Sequence, residues 1–286
     1  MLKQKRVIAI HDISGVGKCS LTVALPIISA AGVECSVLPT AVLSTHTGGF
    51  TGFTYRDLTA DIAPIVRHWK SLKLHTDAIY TGFLGSYEQV NLVSQAFDKL
   101  KTADTLIAVD PVMADNGELY TIFDASFPQA MKELCGKADL IMPNLTEATL
   151  MLEEEYREGP YTKEYIEGLL KRLAEATKTK LIVLTGVYFD DTALGAATYD
   201  GTTGETRYIL GEKISGSYHG TGDVFGSALI GALMNGKPLD KAVRIAVDFT
   251  VHSIAWTQKA QTEIRYGVNF EANLPYYIKD LGLMKD

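Results

Sequence analysis

The sequence predicts an α/β fold in which a mostly parallel central sheet is covered by helices on both faces. Short, nearly continuous apolar runs recur along the chain, and longer stretches with helical periodicity separate them. Several of the runs also end in a polar signature. Continuous apolar runs mark strands buried on both faces, as parallel sheets require. Their alternation with helices marks βαβ units.

The strand candidates, in order, are 7–10 (VIAI), 33–39 (VECSVLP), 77–82 (DAIYTG), 105–111 (TLIAVDP), 138–144 (ADLIMPN) and 180–186 (KLIVLTG). Between them, Val90, Val93, Ala96, Phe97 and Leu100 trace one helical face, with Gln95, Asp98 and Lys99 off it. Ile166, Leu169, Leu170 and Leu173 do the same before the last of these strands. The segment 193–214 predicts a hairpin or meander, with Asp200-Gly201 and Thr203-Gly204 as turn residues. Two helices follow at about 222–235 and 238–257, separated by Gly236 and Pro238. With no Pro/Ser-rich linker, internal repeat or low-complexity segment, one domain over 1–286 is expected.

Composition narrows the function. At 47% hydrophobic and 21% charged residues, the chain can bury a substantial core. A formal net charge of −7 and no basic block argue against nucleic acid as partner, because neutralising phosphates needs clustered Lys and Arg. The first apolar run is too short for a signal peptide or a membrane span. Cys19, Cys35 and Cys135 are odd in number and lack metal-ligand spacing. A cytoplasmic protein with free thiols is the expectation.

In open α/β sheets, ligands bind beyond the carboxyl ends of the strands. The ends YTGFLG, VDPVMAD, MPNLTE and Thr185-Gly186 are therefore expected to share one crevice. Asp223 points to the chemistry there. It is the only formally charged residue between Lys213 and Lys237, and it opens an apolar helix directly after Gly220-Thr221-Gly222. Helix capping alone could explain an aspartate at that place. The two glycines add a backbone that a ligand can approach, and free amides at a helix start form an anion pocket. Anion pocket plus carboxylate suits phosphoryl transfer: amides hold the γ-phosphoryl charge while the carboxylate orients an attacking hydroxyl. The helix dipole favours the ionised carboxylate, which predicts a weak base. Near the N-terminus, Ser14-Gly15-Val16-Gly17-Lys18 resembles a P-loop, but that pattern needs glycine at Asp12 and Ser or Thr at Cys19. It is expected to be a tight turn beside the substrate.

LSTHTGGFTG (43–52), YTGFLGS (80–86), VDPVMAD (109–115), MPNLTEA (142–148) and GTGDVFGSAL (220–229), in that order, resemble the ribokinase-like superfamily and, within it, the vitamin B6 kinases. The resemblance implies a three-layer α/β/α sandwich and an ATP- and magnesium-dependent kinase of B6 vitamers, and it admits a monovalent cation and a homodimer. Asp223 is implied as catalytic base, with Gly220, Thr221 and Gly222 as the anion hole. Asp110, Asp115, Asn144, Glu147, Thr185 and Gly186 are implied around the ATP phosphates, with Glu147 and Asp110 nearest the metal. Thr47, Phe83 and, more weakly, His46 match substrate positions. Asp12 departs from the B6 pattern. It could pair with a protonated ring nitrogen or an amine, and it resembles the loop of hydroxymethylpyrimidine kinases of thiamine synthesis, the alternative function. A pyridoxal phosphate carrier or regulator is the non-enzymatic alternative, and an intact Gly-Thr-Gly-Asp speaks for turnover.

Overall fold

In the computed structural model, which describes residues 4–284, six strands run parallel through the middle of a nine-stranded sheet. From one edge inward these are β2 (Glu34–Leu43), β1 (Arg6–Ser14), β4 (Ala78–Thr81), β5 (Leu106–Val109), β8 (Leu140–Ile141) and β9 (Leu181–Val187). Antiparallel strands finish both edges. β3 (Tyr55–Asp57) pairs with β2, while β10 (Ala193–Asp200) and β11 (Glu205–Glu212) continue from β9. A separate two-stranded ribbon is formed by β6 (Ala114–Asp115) and β7 (Glu118–Leu119).

The central strands are buried on both faces, and their alternation sends successive side chains into two cores. Ile8 and Ile10 of β1, with Ile79, Ile107 and Val109, face α2 (Thr59–Ser71), α3 (Tyr87–Leu100), α4 (Phe127–Cys135), α5 (Leu145–Met151) and α6 (Lys163–Thr177). Val7 and Ala9, with Ala78, Tyr80 and Ala108, face α1 (Leu21–Ala30), α7 (Thr221–Met234), α8 (Leu239–Lys259) and α9 (Leu274–Asp280). This is the three-layer sandwich the sequence predicts.

All six predicted parallel strands and the 193–214 hairpin form with shifted ends, β2 for one running on to Leu43, and two of the differences bear on the site. β1 continues past Ile10 to Ser14, crossing a bulge between His11 and Ile13 as it stays paired with β2. His11 and Asp12 are polar, yet both are buried, so polarity concealed the continuation. β8 has only two residues because the chain turns out of the sheet at Met142-Pro143 into α5. Strands β3, β6 and β7 have two or three residues each and no apolar run to mark them.

Candidate active site

The carboxyl ends of the parallel strands β1, β4, β5, β8 and β9 lie on one side of the sheet, and the start of α7 stands by those of β1 and β5, near His11, Asp12 and Asp110. Gly220 precedes this helix in left-handed conformation (φ 76°), and a Cβ there would lie 2.0 Å from the Lys18 carbonyl oxygen. Only glycine fits. Gly222 differs, because a Cβ there would meet nothing within 4 Å, so its backbone faces open space. The Thr221 hydroxyl donates to the Tyr218 carbonyl (3.2 Å) and tightens the turn.

Asp223 stands in the first turn of α7 with its side chain 16% exposed. Burial pushes its pKa up to about 7; the Ser20 backbone amide opposes this and the nearby Asp12 charge adds to it. The helix dipole favours the ionised form, whereas burial works the other way and leaves a carboxyl poised near neutrality.

Asp110, at the end of β5, is buried and its pKa lies well above the usual carboxylate range, first through burial and then through Glu147 and Asp223. Glu147 is pushed to about 8 by burial, against the amides of Asn144 and Met113. Asn144 and Glu147 form a capping box for α5: the Glu147 amide donates to Asn144 Oδ1 (2.8 Å) and the Asn144 amide to Glu147 Oε2 (2.8 Å). Glu147 Oε1 accepts from the Met113 amide (3.1 Å) and Asn144 Nδ2 donates to the Ala114 carbonyl (2.8 Å), tying α5 to the β6–β7 ribbon. Asp115 lies on that ribbon, exposed, accepting from the Asn116 amide. Thr185 bridges to Asn144 across the β8–β9 exit, with Gly186 left-handed beside it.

Among the described residues, no three His, Cys, Asp or Glu side chains are grouped to hold a metal ion. Each Glu147 oxygen accepts one backbone amide, which leaves lone pairs that a hydrated cation could use. A cluster of buried carboxyls raising one another's pKa still fits a cation. Magnesium bound largely through water and nucleotide phosphates needs only one or two carboxylates.

On the acceptor side, Asp12 is turned inward. Its oxygens accept from the hydroxyls of Ser14 (3.0 Å) and Ser20 (2.7 Å), and only 6% of the residue is exposed. Each Asp12 oxygen thus carries one hydrogen bond from within the protein. His46 is likewise committed: Nε2 donates to the Arg265 carbonyl (2.6 Å) and Nδ1 accepts from the Gly48 amide (3.0 Å). It clamps the 44–50 loop to residues 264–266 rather than offering a free ring nitrogen. Thr47 is exposed on that loop, and Phe83 is half-buried, its ring 5.9 Å from that of Phe123. Lys18 does not act as a P-loop lysine, since its ammonium meets Asn269 Oδ1 (2.6 Å) and Glu271 (3.0 Å).

The sequence did not single out His11 or Ser227, nor Tyr80 beyond its place in a strand motif. All three are fully buried beneath Asp223; the Tyr80 and Ser227 hydroxyls face each other, while both His11 nitrogens lack a hydrogen-bond partner. A histidine continuing an apolar strand was the available signal.

Comparison with known proteins identifies the family. The model for phosphomethylpyrimidine kinase matches residues 25–268. The chain belongs to this family. It shares the ribokinase-like fold with a Bacteroides thetaiotaomicron protein provisionally named a phosphomethylpyrimidine kinase, at 37% identity and a TM-score of 0.92, covering 96% of this chain and 94% of that one. A second crystal form of that protein, described as containing pyridoxal, matches with a TM-score of 0.90 and covers 96% of both chains. Pyridoxal kinase from Lactobacillus plantarum is 31% identical over 97% of this chain and 98% of its own, with a TM-score of 0.88. In sequence, a Bordetella avium pyridoxine/pyridoxal/pyridoxamine kinase is 24% identical over 261 residues, 86% of this chain and 83% of that protein. The family member is thus an ATP-dependent kinase that phosphorylates a small heterocycle bearing a hydroxymethyl group. By name, the family model and the 37%-identical structures favour the pyrimidine alternative over the B6 ring. Among the described residues, no helix is long and apolar enough to cross a membrane.

Proposed function

We propose that the enzyme transfers the γ-phosphoryl group of ATP to the 5′-hydroxymethyl of a B6 vitamer. Asp223 accepts the hydroxyl proton; a carboxyl poised near pH 7 suits that task better than a fully acidic one. The amides of Gly220, Thr221 and Gly222 take up the phosphoryl charge at the α7 terminus. Asn144, Thr185 and Gly186 line the nucleotide side, and Asp110 and Glu147 are the residues that would hold magnesium. Magnesium, when bound, neutralises charge developing on the phosphates. Thr47 and Phe83 border the acceptor ring.

The observation that carries the ring assignment is the pyridoxal-containing form of the 37%-identical relative. The second reading, hydroxymethylpyrimidine or its monophosphate as acceptor, is favoured by the family model. Initial rates with Mg·ATP and pyridoxal, pyridoxamine, pyridoxine, hydroxymethylpyrimidine or its monophosphate separate the two. The expected result is the highest kcat/KM for a B6 vitamer. A higher value for either pyrimidine transfers the assignment to the second reading, and phosphorylation of none of them removes the kinase assignment.

A further inference from the structure

We infer that His11 is a positioning residue for Asp223, its Nδ1–H donating to Asp223 Oδ1 once the α7 terminus holds a nucleotide phosphate. The inference rests on Asp223 being the base of the kinase proposed above.

The placement follows from strand alternation. Val7 and Ala9 of β1 point into the core beneath α1, α7 and α8, and His11 is the next odd-numbered residue. Its Nδ1 stands 3.9 Å from Asp223 Oδ1. The ring is fully buried, and neither nitrogen has a hydrogen-bond partner. Burial holds it neutral, with its pKa pushed down to about 3, so one nitrogen carries a proton and the other is an acceptor. Buried polar atoms in native proteins are almost always paired, so two unpaired nitrogens on one ring need a reason.

The surroundings make room for this ring. A Cβ on Gly82 would lie 2.5 Å from His11 Nδ1, and one on Gly226 would lie 2.4 Å from the Tyr80 hydroxyl oxygen. Tyr80 meets the imidazole edge-on, with centroids 4.5 Å apart and planes at 68°, fixing its orientation without offering a hydrogen bond. The carboxylate is the strongest acceptor near Nδ1. A gap of 3.9 Å is too long for a hydrogen bond, but catalytic hydrogen bonds are often long in ligand-free enzymes and tighten in the substrate complex. A shift of about 1 Å as the α7 terminus grips a phosphate would close it. A neutral imidazole donating to one oxygen leaves the other aimed at the acceptor hydroxyl, the orienting role that a third group plays behind a base.

Two variants and one spectrum test this. His11→Leu is expected to lower kcat roughly 10- to 100-fold, the usual effect of losing a supporting hydrogen bond behind a reactive group, with both KM values within about twofold. His11→Asn places an amide nitrogen near the Nδ1 position and should recover most of the rate. Wild-type kcat in His11→Leu, or equal losses in both variants that track their melting temperatures, would overturn the proposal. Imidazole ¹⁵N NMR of the ADP–magnesium complex reads the pairing without turnover. The Nδ1–H tautomer is expected, giving way to a mixture in Asp223→Ala, and a dominant Nε2–H tautomer in the native protein overturns it. Because the spectrum needs no acceptor, it still decides the His11 pairing if the substrate panel fails.

Discussion

Asp223→Asn is expected to lower kcat on the order of 10²–10⁴-fold while leaving the Kd for Mg·ATP within a few-fold. Asparagine keeps the shape and one acceptor oxygen but cannot take a proton from the hydroxyl. The fold should not suffer. A carboxyl that burial holds near pH 7 opposes folding when ionised, so its neutral isostere removes a penalty rather than a support. Equal or higher melting temperature at pH 8, intact nucleotide binding by calorimetry and lost transfer would together assign the base. Undiminished turnover would exclude Asp223 from that role.

The paired glycines give the second large effect, because they stand in opposite environments. Gly220→Ala places a Cβ 2.0 Å from the Lys18 carbonyl in a left-handed conformation, backbone against backbone, so neither side can yield cheaply. A loss of several kcal/mol is typical of such strain, visible as a large drop in melting temperature together with lost activity. Gly222→Ala meets no protein atom within 4 Å, and alanine is the better helix former by up to about 1 kcal/mol. Its stability should hold or rise while KM for ATP climbs at least about tenfold, because the methyl group occupies space left for a phosphate. An unchanged KM in Gly222→Ala would mean that the phosphate is gripped elsewhere.

The fold was largely legible because each central strand is an uninterrupted apolar run, which two-sided burial demands. The edge and ribbon strands escaped because three exposed residues such as Tyr55–Asp57 carry no period. In the site, Asp223 and the Gly-Thr-Gly turn were readable as a charge and a flexibility out of place. Asp12 and His46 were visible as residue types but not as bonded partners. Ser14 and Ser20 reach Asp12 through the bulged strand end and the turn after it, which the residue pattern does not specify, and the Arg265 carbonyl reaches His46 from 219 residues away. The magnitude of Asp223's pKa was unreadable for the same reason: helix position is local, whereas desolvation is set by everything packed around it.

The buried carboxyls of Asp223 and Glu147 also bear on folding. Unfolded, they ionise near pH 4, at their ordinary values of 3.8 and 4.5, while in the folded chain they hold their protons to about 7 and 8. Between those limits the folded state binds more protons than the unfolded one, so the ligand-free protein loses stability as pH rises, on the order of a few kcal/mol per carboxyl. A bound cation favours the ionised forms and reverses that loss. The groups that would hold magnesium and nucleotide are thus the same ones that oppose folding of the empty enzyme as pH rises.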